Sequence, residues 1–162
     1  MSDTKTIENL NKALGMELSA AHQYQLHAHV LDDWGLDKLA TKMREEQAEE
    51  FGHSDLFIQR ILFLKGEPDM RFEKQPRRAN TLQDMFAADL QDEEEAIAFY
   101  SRAAGEAAAA NDIGSRMLFE SIALDEEGHK SWLELQLDLM SRIGEQAYSA
   151  RLVSFAAGSA AE

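Results

Sequence analysis

An all-α fold, built as a four-helix bundle with a short fifth helix, is what this 162-residue chain predicts, on three observations. It holds only two prolines and nine glycines, so long helices meet few breakers. Almost nothing in it alternates with period two. Four long stretches instead place apolar residues three and four apart, as a buried helix face requires. At this length, with 44% hydrophobic residues, the chain is expected to be a single domain, 1–162, able to bury a sizeable core.

The first helix is expected from about Thr4 to Asp33, with Gly35 as its stop. Its inward line reads Leu10, Leu14, Glu17, Ala21, Tyr24, Ala28 and Leu31, so Glu17 sits in the middle of an apolar stripe. The second helix, about Leu36 to Lys65, carries Leu39, Met43, Glu46, Glu50, His53, Phe57, Ile61 and Leu64 on one face. Glu50 and His53, three apart, project from the same side. From Gly66 to Asn80 the periodicity lapses around Pro68, Pro76 and the pair Arg77-Arg78, the one substantial connection in the chain.

Asn80 or Thr81 caps the third helix, with Asp84 near its start. Its face reads Leu82, Met85, Asp89, Glu93, Ala96, Tyr100 and Ala103; of the acidic run Asp92-Glu93-Glu94-Glu95, only Glu93 falls on the stripe. Asn111-Asp112 opens the fourth helix, whose face is Phe119, Ile122, Glu126, His129, Leu133, Gln136 and Met140, and Gly144 ends it. The bundle thus occupies about 1–145, a fifth helix about 146–156, and a flexible tail 157–162. Short links join helices one to two and three to four, and the long link between two and three makes a pair of antiparallel hairpins joined by a crossover. A helix of about 30 residues is roughly 45 Å long, a span that about fifteen extended residues can cover.

The two hairpins repeat each other. Glu17 and Tyr24 precede Glu50-Phe51-Gly52-His53 as Glu93 and Tyr100 precede Glu126-Glu127-Gly128-His129, with 33 residues between the two glutamates in each half and 76 between the halves. Leu14 and Leu90, Ala20 and Ala96, and Ala28 and Ala104 keep the same offset, which marks two copies of one structural unit.

Charge and cysteine usage narrow the chemistry. Sixteen basic against 30 acidic side chains give a formal charge of −14, which disfavours nucleic acid and makes cations the natural partners. The start, Met1-Ser-Asp-Thr-Lys, is polar, and no apolar run approaches the roughly 20 residues of a membrane span, so a soluble cytoplasmic protein is expected. Without cysteine, a bound metal has only oxygen and imidazole to hold it.

Glu17, Glu50, Glu93 and Glu126 would meet near mid-bundle with His53 and His129, where four unpaired carboxylates are strongly unfavourable. Two divalent cations balance four carboxylates. Two lone glutamates plus two Glu-x-x-His pairs, one element per helix, are the ligand set that di-iron and di-manganese carboxylate bundles use, and mixed carboxylate and imidazole donors suit iron or manganese, with zinc a competitor. One Glu-x-x-His would carry little weight; two copies, each at the same spacing from a glutamate on an apolar stripe, carry much more. Tyr24 and Tyr100 are expected to support ligand carboxylates by hydrogen bonds. Trp34 and Trp132 are expected to pack, and His22, His27 and His29 to lie at the surface or at subunit contacts.

Over nearly its whole length the chain resembles the bacterioferritins. The resemblance is carried by Leu-Asn-Lys at 10–12, Gly-Met-Glu-Leu at 15–18, Gln23-Tyr24, Trp34-Gly35-Leu36, Arg60-Ile-Leu-Phe-Leu64, Asp125-Glu-Glu-Gly-His129 and Trp132-Leu-Glu. It implies a ferritin-like subunit in a hollow shell of two dozen copies that oxidises Fe2+ with O2 or H2O2 and stores ferric mineral. It also implies two iron ions per subunit on Glu17, Glu50, His53, Glu93, Glu126 and His129, bridged by Glu50 and Glu126, with a ferredoxin-type protein as candidate reductant for iron release. One position departs from the family. Bacterioferritins bind haem b between paired subunits through a Met just after the first motif's Glu; here that residue is Phe51, which has no lone pair for iron. Methionine-ligated haem is therefore not expected in the homopolymer, and a mixed shell would need a haem-binding paralogous subunit to supply the Met.

Glu45 and Glu49, on the neighbouring face of the second helix, are candidates to pass iron to the interior. Two other readings use the same bundle: a di-iron oxygenase or peroxidase with an organic substrate, and a non-catalytic structural subunit of a mixed shell. The first would need a substrate-binding insertion or a rubredoxin-like cysteine domain that this compact chain lacks, and the second predicts a tight, redox-inert metal.

Overall fold

The computed structural model of the chain describes residues 2–154. Four long helices, α1 (Ser2–Asp33), α2 (Asp37–Phe63), α3 (Leu82–Ala109) and α4 (Ile113–Ile143), are followed by the short α5 (Glu145–Ala150). The order, number and approximate bounds agree with the periodicity. α1 packs chiefly on α2 and α3 chiefly on α4, so the two repeats are two hairpins.

The helix ends follow local chemistry. Gly35 takes φ 78° in the turn after α1, and Asn111 takes φ 59° in the turn before α4, conformations that glycine and asparagine tolerate best. Thr81 caps α3, its hydroxyl accepting from Asp84 N at 3.0 Å. Asp112 caps α4, accepting from Ser115 N at 2.9 Å, and also receives Arg60 of α2 at 2.5 Å. Gly144 ends α4 at φ 80°.

α5 stops six residues before the expected Ala156 because the chain turns to serve α2 instead. Leu36, at the N-cap of α2, supplies no side-chain cap, and the orphan amide of Lys38 donates to Leu152 O at 3.3 Å while Asp37 Oδ1 accepts from Ser154 N at 2.7 Å. The expected tail, 157–162, lies outside the described residues.

The crossover lies along α1 in regular steps. Asn11 donates to Glu67 O and accepts from Asp69 N; Gly15 O accepts from Glu73 N at 3.2 Å; Ser19 Oγ accepts from Lys74 N at 3.0 Å; and Gln23 binds both the N–H and the C=O of Arg77 at 2.8 Å. These four α1 residues are one row of the helix, each four after the last. A Cβ on Gly15 would lie 2.9 Å from Arg71 O, so the row has room for the crossover only because that residue is glycine.

Two apolar clusters fill the bundle. One gathers Leu10, Leu14, Phe57, Ile61, Tyr100, Phe119 and Ile122, and the other Leu31, Leu39, Met43, Met85, Phe86, Leu133 and Met140. Trp34 and Trp132 pack against the second cluster, as expected. Between the clusters, midway along the helices, lies a belt of buried polar side chains.

Candidate metal centre

Each long helix delivers its predicted residue to that belt. Glu17, Glu50, His53, Glu93, Glu126 and His129 are all buried, between 1% and 8% exposed, although every one of them is polar. They form two groups whose donor atoms lie within 4.8 Å of one another: Glu17, Glu50, His53 and Glu126, and Glu50, Glu93, Glu126 and His129. Glu50 and Glu126 belong to both groups. The imidazoles present Nδ1 to the interior of the site. His53 Nδ1 is 3.3 Å from Glu17 and Glu50, and His129 Nδ1 is 2.9 Å from Glu126 and 3.3 Å from Glu50.

The tyrosines cross between the repeats. Tyr24 of the first half donates to Glu93 Oε1 of the second at 2.6 Å, and Tyr100 of the second donates to Glu17 of the first. Glu17 thus keeps Oε1 turned to a phenol and Oε2 toward His53, whereas Glu93 Oε1 takes its phenol and also lies 3.7 Å from His129 Nδ1.

Electrostatics make the cluster costly as protein alone. Burial, then the Glu50 carboxylate, pushes Glu17 well above the ordinary carboxylate range. Burial does the same to Glu93, against the opposing pull of His129. Burial disfavours charge on His53 and His129, yet the carboxylates around them outweigh it and raise both imidazoles above their ordinary value. All four shifts favour the protonated forms, which a bound cation would displace. Glu50 Oε1, Glu126 Oε2 and His129 Nδ1 have no hydrogen-bond partner there despite full burial, as befits donor atoms awaiting a cation. Oxygen and imidazole donors with four carboxylates fit two divalent ions of the iron or manganese kind.

The outer nitrogens also face carboxylates. His129 Nε2 is 2.9 Å from Glu46 and 3.4 Å from Glu49, and His53 Nε2 is 3.3 Å from Asp125. Of the two candidates for iron transfer, Glu49 lies beside His129, whereas Glu45 is exposed and joins none of the cation-binding groups among the described residues. Glu46 is buried and bound to Lys42, and the two positive partners, His129 and Lys42, outweigh its burial and lower its pKa. Its place on the α2 stripe, four before Glu50, was the signal for it.

His27 corrects the sequence reading. It is 2% exposed, not on the surface, and is bonded through Nε2 to Asp89 at 2.9 Å, tying α1 to α3 inside the bundle. On α1 it lies only three residues after Tyr24, on the inward side, and its acidic partner was visible on the α3 stripe. His29 is exposed and His22 half-buried. Phe51, 38% exposed, meets the His22 ring edge-on at 5.7 Å. Finally, a cavity of about 810 Å3 runs from beneath the crossover to Glu17, Glu50, Glu93 and Glu126.

A bundle of two hairpins with a long crossover and a twinned carboxylate and histidine centre defines the ferritin-like class, and residues 7–143 match the family model described as a ferritin-like domain. Within that class the relatives are consistent. The bacterioferritin of Rhodobacter capsulatus is 43% identical over 147 residues, 91% of each chain, and that of Brucella melitensis is 42% identical over 146 residues, 90% of this chain and 91% of the other. A solved structure of the Rhodobacter capsulatus protein superposes with a TM-score of 0.92 at 40% identity, covering 95% of this chain and 96% of that one. It is described as having a metal-free dinuclear site and haem iron in a crystallographic special position. Mycobacterium tuberculosis bacterioferritin gives 0.89 at 37% identity, covering 92% and 94%. The chain belongs to the bacterioferritin family. No described helix is long and apolar enough to cross a membrane.

Proposed function

We propose that this chain stores iron by first oxidising it at a di-iron ferroxidase centre. The observation that carries the reading is the pair of four-residue donor groups sharing Glu50 and Glu126, which supports two adjacent cation positions. Glu17 and His53 complete one position, Glu93 and His129 the other. Two Fe2+ bound there as substrate would give up one electron each, reducing O2 with two protons to H2O2, or H2O2 with two protons to two waters, and leaving two Fe3+. Six fixed donors favour the more highly charged ferric product. Tyr24 and Tyr100 hold Glu93 and Glu17 in place while charge at the centre changes. Family membership supports a multi-subunit shell, in which the ferric product would be deposited as mineral.

The test is Fe2+ added to purified protein in air with no organic substrate. Continued O2 consumption with growth of a ferric core supports the reading. A centre that turns over only with an organic substrate would make the chain an oxygenase, and a tightly held metal without redox turnover would make it a structural subunit.

Glu49 lies 3.4 Å from His129 Nε2, and Glu45 is one turn before it on the same helix, which supports a role for the pair in passing iron from the centre to the interior of a shell. Replacing both with Ala should slow core growth while the first rapid oxidation survives; unchanged core filling refutes a transfer role. Phe51 replaces the family's haem methionine, so the homopolymer should show no stoichiometric Soret band of methionine-ligated haem.

A further inference from the structure

The cavity beneath the crossover contains a buried carboxylate that the centre does not use. Asp89 is 3% exposed, lines the cavity, and has one oxygen, Oδ2, without a hydrogen-bond partner. Its other oxygen is fixed by a chain of hydrogen bonds that begins on the crossover. Gln23 Nε2 donates to Arg77 O at 2.8 Å and approaches His27 Nδ1 at 3.3 Å, and His27 Nε2 reaches Asp89 Oδ1 at 2.9 Å. His27 thus fixes the orientation of Asp89 through Oδ1 and leaves Oδ2 unbonded. Burial accordingly pushes the Asp89 carboxyl above its ordinary value, against the pull of His27.

The neighbouring acidic groups differ. Asp92 and Glu95, which line the same cavity, are both bound to Lys74 of the crossover, at 2.6 and 2.5 Å. Lys74 thus fastens the crossover to α3 and occupies those two carboxylates. Asp89 is left as a buried, oriented carboxylate with a free oxygen. Four residues further along the same helix stands Glu93, about 6 Å away along the axis and on the same face.

We propose that Asp89 Oδ2 is an outer cation site, at which a divalent cation entering beneath the crossover is held before it passes one helical turn along α3 to Glu93. The cation class follows from the single hard oxygen donor and the carboxylate wall beyond it. This rests on the ferroxidase reading only in taking the centre as the destination. Asp89 is then a relay ligand, and Gln23 and His27 position it.

The test is the rate at which assembled, metal-free protein takes up Co2+ without oxygen, read by stopped-flow from the visible absorbance of centre-bound cobalt. Asp89→Asn keeps an oxygen acceptor for His27 and removes the charge. It should leave the amount of Co2+ bound at the centre unchanged and slow its arrival about tenfold, the low end of electrostatic focusing in a charged cleft. Ala88→Trp, at a cavity-lining residue that is not in either donor group, should also slow loading, and it decides the question if the Asn variant fails to assemble. Wild-type loading rates in either correctly assembled variant overturn the relay. Absence of cobalt from the centre of the unaltered protein would instead overturn the ferroxidase reading.

Discussion

Tyr24 and Tyr100 link the two repeats at single-atom scale, each phenol held by a glutamate from the other half. Tyr100→Phe removes a hydrogen bond to a buried carboxylate, and the metal-free protein should lose about 1.5–3 kcal/mol in chemical denaturation; no loss would mean that Glu17 finds another partner. The raised pKa values of Glu17, Glu93, His53 and His129 have one sign. Each group binds its proton more tightly folded than unfolded, so its contribution is present below the unfolded pKa and is lost as pH rises toward the folded one. The metal-free protein should therefore melt at a lower temperature at pH 8 than at pH 5.5, and saturating divalent metal should remove or reverse that trend, since metal competes with those protons. A metal-free melting temperature that rises with pH would contradict this electrostatic picture. At this scale the ligands were legible because a charged residue on an apolar stripe is conspicuous. Glu93 could be picked from four adjacent acidic residues for that reason. Glu46 and Asp89 were on stripes too, and His27 lies three residues after Tyr24 on the inward side, but none of the three repeats in the other half.

The elements were legible where periodicity and caps agree, and less so where backbone bonds decide. Thr81 and Asp112 were readable as caps. The crossover's attachment to α1 was not, because Asn11, Gly15, Ser19 and Gln23 form a row of unlike residues whose common property is to meet another backbone. Gly15→Ala should force that contact apart and destabilise the protein by about 1–3 kcal/mol, measured as a shift in denaturant midpoint; a neutral result would show that the crossover can lift freely. Asp112→Ala removes both the α4 cap and the Arg60 partner, and should cost at least the roughly 1 kcal/mol of a lost cap. α5 ended early for a reason of the same kind: the residues after Ala150 serve the open start of α2, which helix periodicity does not register.

For the whole molecule, the repeat has become a pair of hairpins that place a charge-rich centre between two apolar clusters. Four buried carboxylates are unfavourable there without a compensating charge, and the fold groups them with two histidines into donor sets that could hold metal, reached by a cavity from beneath the crossover. A multi-subunit assembly was legible only through family resemblance, since it concerns surfaces that meet other chains; Phe51 belongs to neither donor group, so its consequence for haem is a proposal separate from the centre. The most direct measurement is an anaerobic Fe2+ titration followed by O2, comparing the unaltered protein with Glu17→Ala. Rapid oxidation saturating at two Fe2+ per subunit, one for each donor group, and lost in the variant, is the predicted result. Equal stoichiometry and rate in the two proteins would contradict the assignment of the centre.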